Sequence, residues 1–134
     1  MHANSLSKQL KQRLKPVYFK SRRFLAQRLY GYTAQSLAAT LKQLGIGAGD
    51  CVLVHSGFAR DSGFKGSASE VLDTFLDVLG PDGHLLMMSM PYGGSSERYA
   101  ATDPLFDVAR SPSTLGVLSE IFRRRDGVIR SLNP

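Results

Sequence analysis

The chain has 134 residues, 43% hydrophobic and 21% charged, enough for one domain with a single core and too few for two large ones. No apolar run approaches the roughly 20 residues that span a bilayer, which excludes an integral helical membrane protein. The net charge of +6 is unevenly spread: nine Lys or Arg and no acid precede Asp50, whereas eight basic and eleven acidic residues follow from Asp50 onward.

The basic excess therefore belongs to an N-terminal arm. Over residues 5–30, Leu6, Leu10, Leu14 and Val17, then Phe24, Leu25 and Leu29, form a broken helical stripe interrupted at Pro16. One or two amphipathic helices are expected, with a solvated basic face preferred over a nucleic-acid or anionic membrane partner. The stretch lacks the continuous apolar core expected of a secretory signal, while its Arg-rich, acid-free composition overlaps with mitochondrial transit peptides. Gly31 ends the arm, and residues 1–32 are read as separate from the domain.

Thr33 can cap a helix over 34–44 that sets Leu37, Leu41 and Leu44 on one face and Gly45 past its end. Gly47 and Gly49 turn the chain into Cys51-Val52-Leu53-Val54-His55, an apolar strand expected to be buried on both faces and closed by Ser56-Gly57. Cys51 is the single cysteine, which excludes an intrachain disulfide or a multi-cysteine metal site and fits a reducing, cytoplasmic setting. Within that strand it reads as a small core hydrophobe rather than a nucleophile.

Ser67 and Glu70 occupy the first and fourth positions of a capping box before Val71, Leu72, Phe75, Leu76 and Leu79, and Gly80-Pro81 stops the helix. After the Pro81-Asp82-Gly83 turn, residues 84–90 read as a second buried strand. Strand, helix and strand in about 40 residues predict a βαβ unit with parallel strands. Ligands in such sheets sit beyond the carboxyl ends of the strands, so His55, Ser56 and Gly57 stand at the candidate edge and His84 at the opposite one. One imidazole without a defined partner does not establish acid–base catalysis, and His55 is assigned a positioning or backbone-contact role.

Residues 91–112 form a long polar loop leaving the same edge, functional or mobile by its length. Ser113 can cap a helix over about 114–125 bearing Leu115, Leu118, Ile121 and Phe122, with Gly116 in its first turn. Its start is a candidate anion site. Arg123, Arg124 and Arg125 in the last turn offset the helix dipole and read as structural. Val128-Ile129-Arg130 is a third short strand. The elements predict the α/β class with a mainly parallel sheet, preceded by the basic helical arm.

Taken in order, Leu44-Gly45-Ile46, Gly49-Asp50, Val54-His55-Ser56, Val78-Leu79-Gly80-Pro81-Asp82-Gly83, Phe106-Asp107, Ser111-Pro112-Ser113, Gly116, Glu120 and Gly127-Val128-Ile129-Arg130-Ser131-Leu132-Asn133-Pro134 resemble the aminoglycoside 3-N-acetyltransferase family. The resemblance covers residues 33–134, the expected domain, and leaves out the arm. It implies an acetyl-CoA-dependent N-acetyltransferase of three-layer α/β/α architecture, here with an incomplete, mainly parallel sheet, with a small-molecule amine as acceptor, no specific nucleic acid, no metal, and homo-oligomerisation left open. By the same resemblance, His55, Ser56, Gly57 and Phe58, with Ser113, Thr114, Leu115 and Gly116, contact the coenzyme, and Glu120 faces the amino substrate. The family's catalytic histidine and its acidic partner are expected beyond Pro134, since the family has His-Pro where this chain has Asn133-Pro134 and continues for roughly as many residues again. The chain is therefore expected to be an amino-terminal portion, inactive by itself. Pro91–Ala101 does not match the longer aminoglycoside-binding insert of resistance enzymes, so an amino sugar is an alternative acceptor. The competing readings are a non-catalytic module that binds coenzyme A, phosphate or a protein partner, and a basic adaptor acting through residues 8–30.

Overall fold

The computed structural model describes residues 16, 18, 20–22, 24–59, 61–102 and 105–131. The first part of the expected arm lies outside them; within them, residues 24–29 are helical. This segment meets the domain through the Arg22–Asp61 ion pair at 2.6 Å and through Gln27 Nε2, which donates to the Phe64 carbonyl at 3.1 Å.

Helix α1, Ala34–Gln43, starts at a reciprocal cap: Ser36 N–H donates to Thr33 Oγ1 and Thr33 N–H donates to Ser36 Oγ. Leu41 is buried and Leu37 partly so, but Leu44 is largely exposed. The expected placement of Leu44 on the core face fails because the helix ends one residue earlier, leaving Leu44 as the C-cap before Gly45 at φ 86°.

Strand β1, Cys51–Val54, pairs in parallel with β2, His84–Met87, in the register Cys51↔His84 to Val54↔Met87. Helix α2, Ala68–Leu79, connects them, and its capping box forms as the sequence predicts, with Ser67 N–H donating to Glu70 Oε2 at 2.6 Å. The buried face of α2 meets Leu85 of β2, Phe64 and Leu118 in one cluster, against which Val52, Val54 and Met87 pack. Tyr32 closes its rim, edge-on to Phe64 at 5.3 Å and bridged to it by backbone hydrogen bonds from Tyr32 N to Gly63 O and from Lys65 N to Tyr32 O. Leu72 lies at the centre, 1% exposed. Leu72→Ala is therefore expected to cost about 3 kcal/mol, as cavity-forming core truncations do, read as a lower denaturation midpoint at unchanged slope.

The opposite face of the sheet differs from expectation. Cys51 is exposed, Leu53 is 62% exposed and Leu86 is 49% exposed. Side chains alternate along a strand, and among the described residues the core cluster packs on the face carrying Val52, Val54, Leu85 and Met87, so the other set is left open to solvent. The strands are thus not buried on both faces, and Cys51 is not a core hydrophobe. The described residues form an α/β arrangement on a two-stranded parallel sheet.

Two later elements are shorter than predicted. The loop after β2 contains helix α3, Ser96–Ala100, capped by Ser95. The final helix, α4, spans only Val117–Phe122 because Ser113 and Thr114 are held in other hydrogen bonds and Gly116, at φ 122°, breaks the helical path. Val128-Ile129-Arg130 is not a strand: Arg130 Nη1 is bound to the carbonyls of Val108 and Ser111, which ties the segment to the preceding loop, and Ile129 is 94% exposed. No helix among the described residues is long and apolar enough to cross a membrane.

Candidate functional site at the carboxyl edge of the sheet

Parallel pairing puts the carboxyl ends of β1 and β2 at one edge. Beyond Val54, the exposed residues His55, Ser56 and Gly57 make the turn, and Phe58 folds back edge-on against Phe64 at 6.1 Å. Beyond Met87 the chain runs to Met90 and Tyr92, whose carbonyls hold the segment before α4: Thr114 N–H donates to Met90 O at 2.8 Å and Thr114 Oγ1 donates to Tyr92 O at 2.5 Å. The two groups of residues singled out in the sequence are therefore tied to the ends of neighbouring strands. His84 is level with Cys51, at the opposite edge from His55, as the register requires.

Ser113 is buried rather than a helix cap. Its N–H donates to Glu120 Oε2 at 2.7 Å and its hydroxyl lies 3.0 Å from that of Ser119. With the N–H groups of Ser113 and Thr114 so engaged, the donors left for a ligand are those at the start of α4. That helix begins at Gly116 with no side-chain cap, and a Cβ at Gly116 would meet open space. Leu115 is half-buried beside it.

Among the described residues, Glu120 is the acid with the most partners. Its Oε2 also accepts from Arg123 Nε at 2.6 Å, and its Oε1 accepts from Arg123 Nη2 at 2.6 Å and pairs with Arg124. The Arg123 hydrogen bonds, opposed by partial burial and reinforced by Ser113 N–H and the two cationic charges, hold the Glu120 carboxyl down at about 2 from the usual 4.5. Arg123 is shifted upward by the same bonds and also donates to Ala109 O at 2.9 Å. A substrate amine would reach Glu120 only by exchange with one of these partners. The arginine run is structural, as expected, but through specific acceptors: Arg125 reaches Ser69 and Asp73 on α2. The sequence signal for Arg123 and Arg124 is their spacing of three and four from Glu120 on one helix face.

A groove of about 1840 Å³ runs along β2, walled by α3, α4 and residues 127–131, with Leu86, Met88, Phe106, Phe122 and Ile129 among its apolar lining. Small-molecule pockets commonly hold about 300–1000 Å³, so this space is larger than one ligand needs.

These features define an α/β protein in which the turn after β1 and the segment leading into α4 follow the carboxyl ends of two parallel strands. The chain belongs to the aminoglycoside 3-N-acetyltransferase family, whose model matches residues 53–134. It is 33% identical over 107 residues to aminoglycoside N(3)-acetyltransferase IV of Salmonella sp, covering 78% of this chain and 38% of that protein. The apoenzyme structure of aminoglycoside acetyltransferase AAC(3)-IVa superposes with a TM-score of 0.65 at 33% identity, over 78% of this chain and 38% of that one. The structure of AAC-IIIb in binary complex with CoASH gives a TM-score of 0.60 at 30% identity, over 77% of this chain and 43% of that one. The chain thus spans about two fifths of the length of the curated relatives it matches.

Proposed function

We propose that this chain supplies the coenzyme-binding part of an acetyl-CoA-dependent N-acetyltransferase whose acceptor is an amine on an aminoglycoside or amino sugar. The observation that carries this reading is the anchoring of Thr114 to the carbonyls of Met90 and Tyr92 just past β2, the strand paired in parallel with β1, with the uncapped start of α4 left as a donor set. His55, Ser56, Gly57 and Phe58 would line one side of the bound thioester. Ser113, Thr114, Leu115 and Gly116 would line the other, with Gly116 allowing close backbone approach. The AAC-IIIb complex with CoASH supports the choice of ligand, and the family supports the acceptor class. Glu120 would act on the amino substrate through Arg123 or by exchanging one of its partners.

The same proposal includes a domain beginning at residue 33, preceded by a basic arm over 1–32, with a third layer covering the exposed face of β1 and β2. Homo-oligomerisation and a cytoplasmic location belong to this proposal as well.

Calorimetric titration of the chain with acetyl-CoA is expected to show saturable, one-to-one binding. Gly116→Asp should weaken it at least about tenfold, a change of 1.4 kcal/mol, because an anionic side chain would face the ligand's phosphates and the backbone at φ 122° disfavours any side chain. Unchanged affinity in a variant with wild-type circular dichroism would remove the start of α4 from the site.

A further inference from the structure

Arg130 holds a position that the proposed chemistry does not explain. Its guanidinium lies over the Phe106 ring at 4.8 Å, and Nη1 donates to the carbonyls of Ser111 at 2.5 Å and Val108 at 3.3 Å. Its Nη2 is closed to water and has no hydrogen-bond partner among the described residues. Guanidinium donors are seldom left so, and an orphaned one needs a partner that the visible residues do not provide.

The neighbouring charges sharpen the deficit. Glu120 is shared by Arg123 and Arg124, and the carboxylate of Asp107 accepts from the N–H groups of Ala109 and Arg110. Arg130 therefore has no carboxylate of its own among the described residues, and its pKa is pushed down by burial and by Arg123, with Glu120 offsetting only part. A second buried donor without a partner, the Ser89 hydroxyl, lies just past β2, and Ser89 and Arg130 line the same groove. A guanidinium N–H and a hydroxyl both donate, so each calls for an acceptor rather than another donor.

We propose that Arg130, assisted by Ser89, forms a receptor for an oxyanion entering from the groove along β2, either a phosphate or a carboxylate. Phe106 supports the guanidinium from one side, and the Ser111 and Val108 carbonyls fix its plane. An oxyanion would take Nη2 and complete the charge balance around Arg123, Arg124 and Arg130. This inference does not rest on coenzyme A binding, because simple anions test it.

The test titrates the full chain with inorganic phosphate and, separately, with acetate, at constant ionic strength, following the Arg130 Nε–H resonance and the calorimetric heat. A saturable shift of that resonance is expected with at least one anion. Arg130→Lys should weaken the affinity at least about tenfold by losing the planar fork, Arg130→Gln should abolish saturation, and Ser89→Ala should weaken it severalfold. Response to phosphate identifies a phosphate-bearing ligand as the natural source, and response to acetate alone identifies a carboxylate. Should Arg130→Gln fail to fold, Arg130→Lys with wild-type circular dichroism carries the comparison. No saturable shift with either anion, or wild-type affinity in Arg130→Lys, overturns the proposal.

Discussion

Glu120→Gln is expected to lower stability by about 2–3 kcal/mol at neutral pH. Removing one partner of a fully buried ion pair costs about 3–5 kcal/mol, and a smaller value applies here because the Glu120 side chain keeps 22% exposure while that of Arg123 keeps 6%. The variant strands the Arg123 guanidinium and weakens the bond that fixes Ser113, so the segment leading into α4 loosens together with the helix. The wild-type chain should show the same dependence as a function of pH. A carboxyl held at about 2 in the folded state against 4.5 when unfolded contributes stability that is fully present above 4.5 and lost as the pH falls toward 2. Denaturant midpoints measured between pH 6 and pH 2.5 should fall in the wild type and fall less in Glu120→Gln. Parallel pH curves would show that Glu120 is not tied to Arg123 in solution.

The second large effect concerns turnover. An amine acceptor is mostly protonated at neutral pH, and its attack on a thioester carbonyl needs a positioned base, a contribution of about 10²–10⁴-fold. His55 and His84 sit at opposite edges of the sheet, and neither has a hydrogen-bonded carboxylate among the described residues. The chain as given is therefore expected to release free thiol from acetyl-CoA at least about a hundredfold more slowly than the aminoglycoside acetyltransferases it resembles, whether offered aminoglycosides or amino sugars. Turnover at the family's rate that disappears in His55→Ala would make His55 the base and refute the positioning role assigned to it.

The sequence carried the local architecture because local signals decided it. Thr33 with α1, the Ser67–Glu70 box and the Gly80-Pro81-Asp82-Gly83 turn each act within a few residues, so α1, α2 and the parallel pairing of β1 with β2 followed from them. What depends on distant partners was not legible. Four-residue strands made almost wholly of apolar residues do not reveal whether a second layer covers them, which is why composition alone points Cys51, Leu53 and Leu86 to a core that the described residues do not build. The start of α4 lies at Gly116 rather than Ser113 because the Ser113 hydroxyl, which would cap a helix, is buried against that of Ser119, and the Thr114 N–H is held by the Met90 carbonyl. Val128-Ile129-Arg130 has strand composition, yet the carbonyls of Val108 and Ser111 capture Arg130, a contact no periodicity encodes. The candidate site was legible in its two chain segments, through glycines and small polar residues at strand and helix ends. Its electrostatic frame of Glu120 and Arg123 was legible only as spacing.

The central claim is that a coenzyme A thioester is held between the turn after β1 and the uncapped start of α4. Amide chemical-shift mapping of the full chain during titration with coenzyme A tests it most directly, because it reports each backbone N–H separately. The account predicts the largest saturable shifts at residues 55–58 and 115–118, with little change at His84 and along α1. Shifts confined to the basic residues before Tyr32, or saturable shifts that bypass both segments, would contradict it.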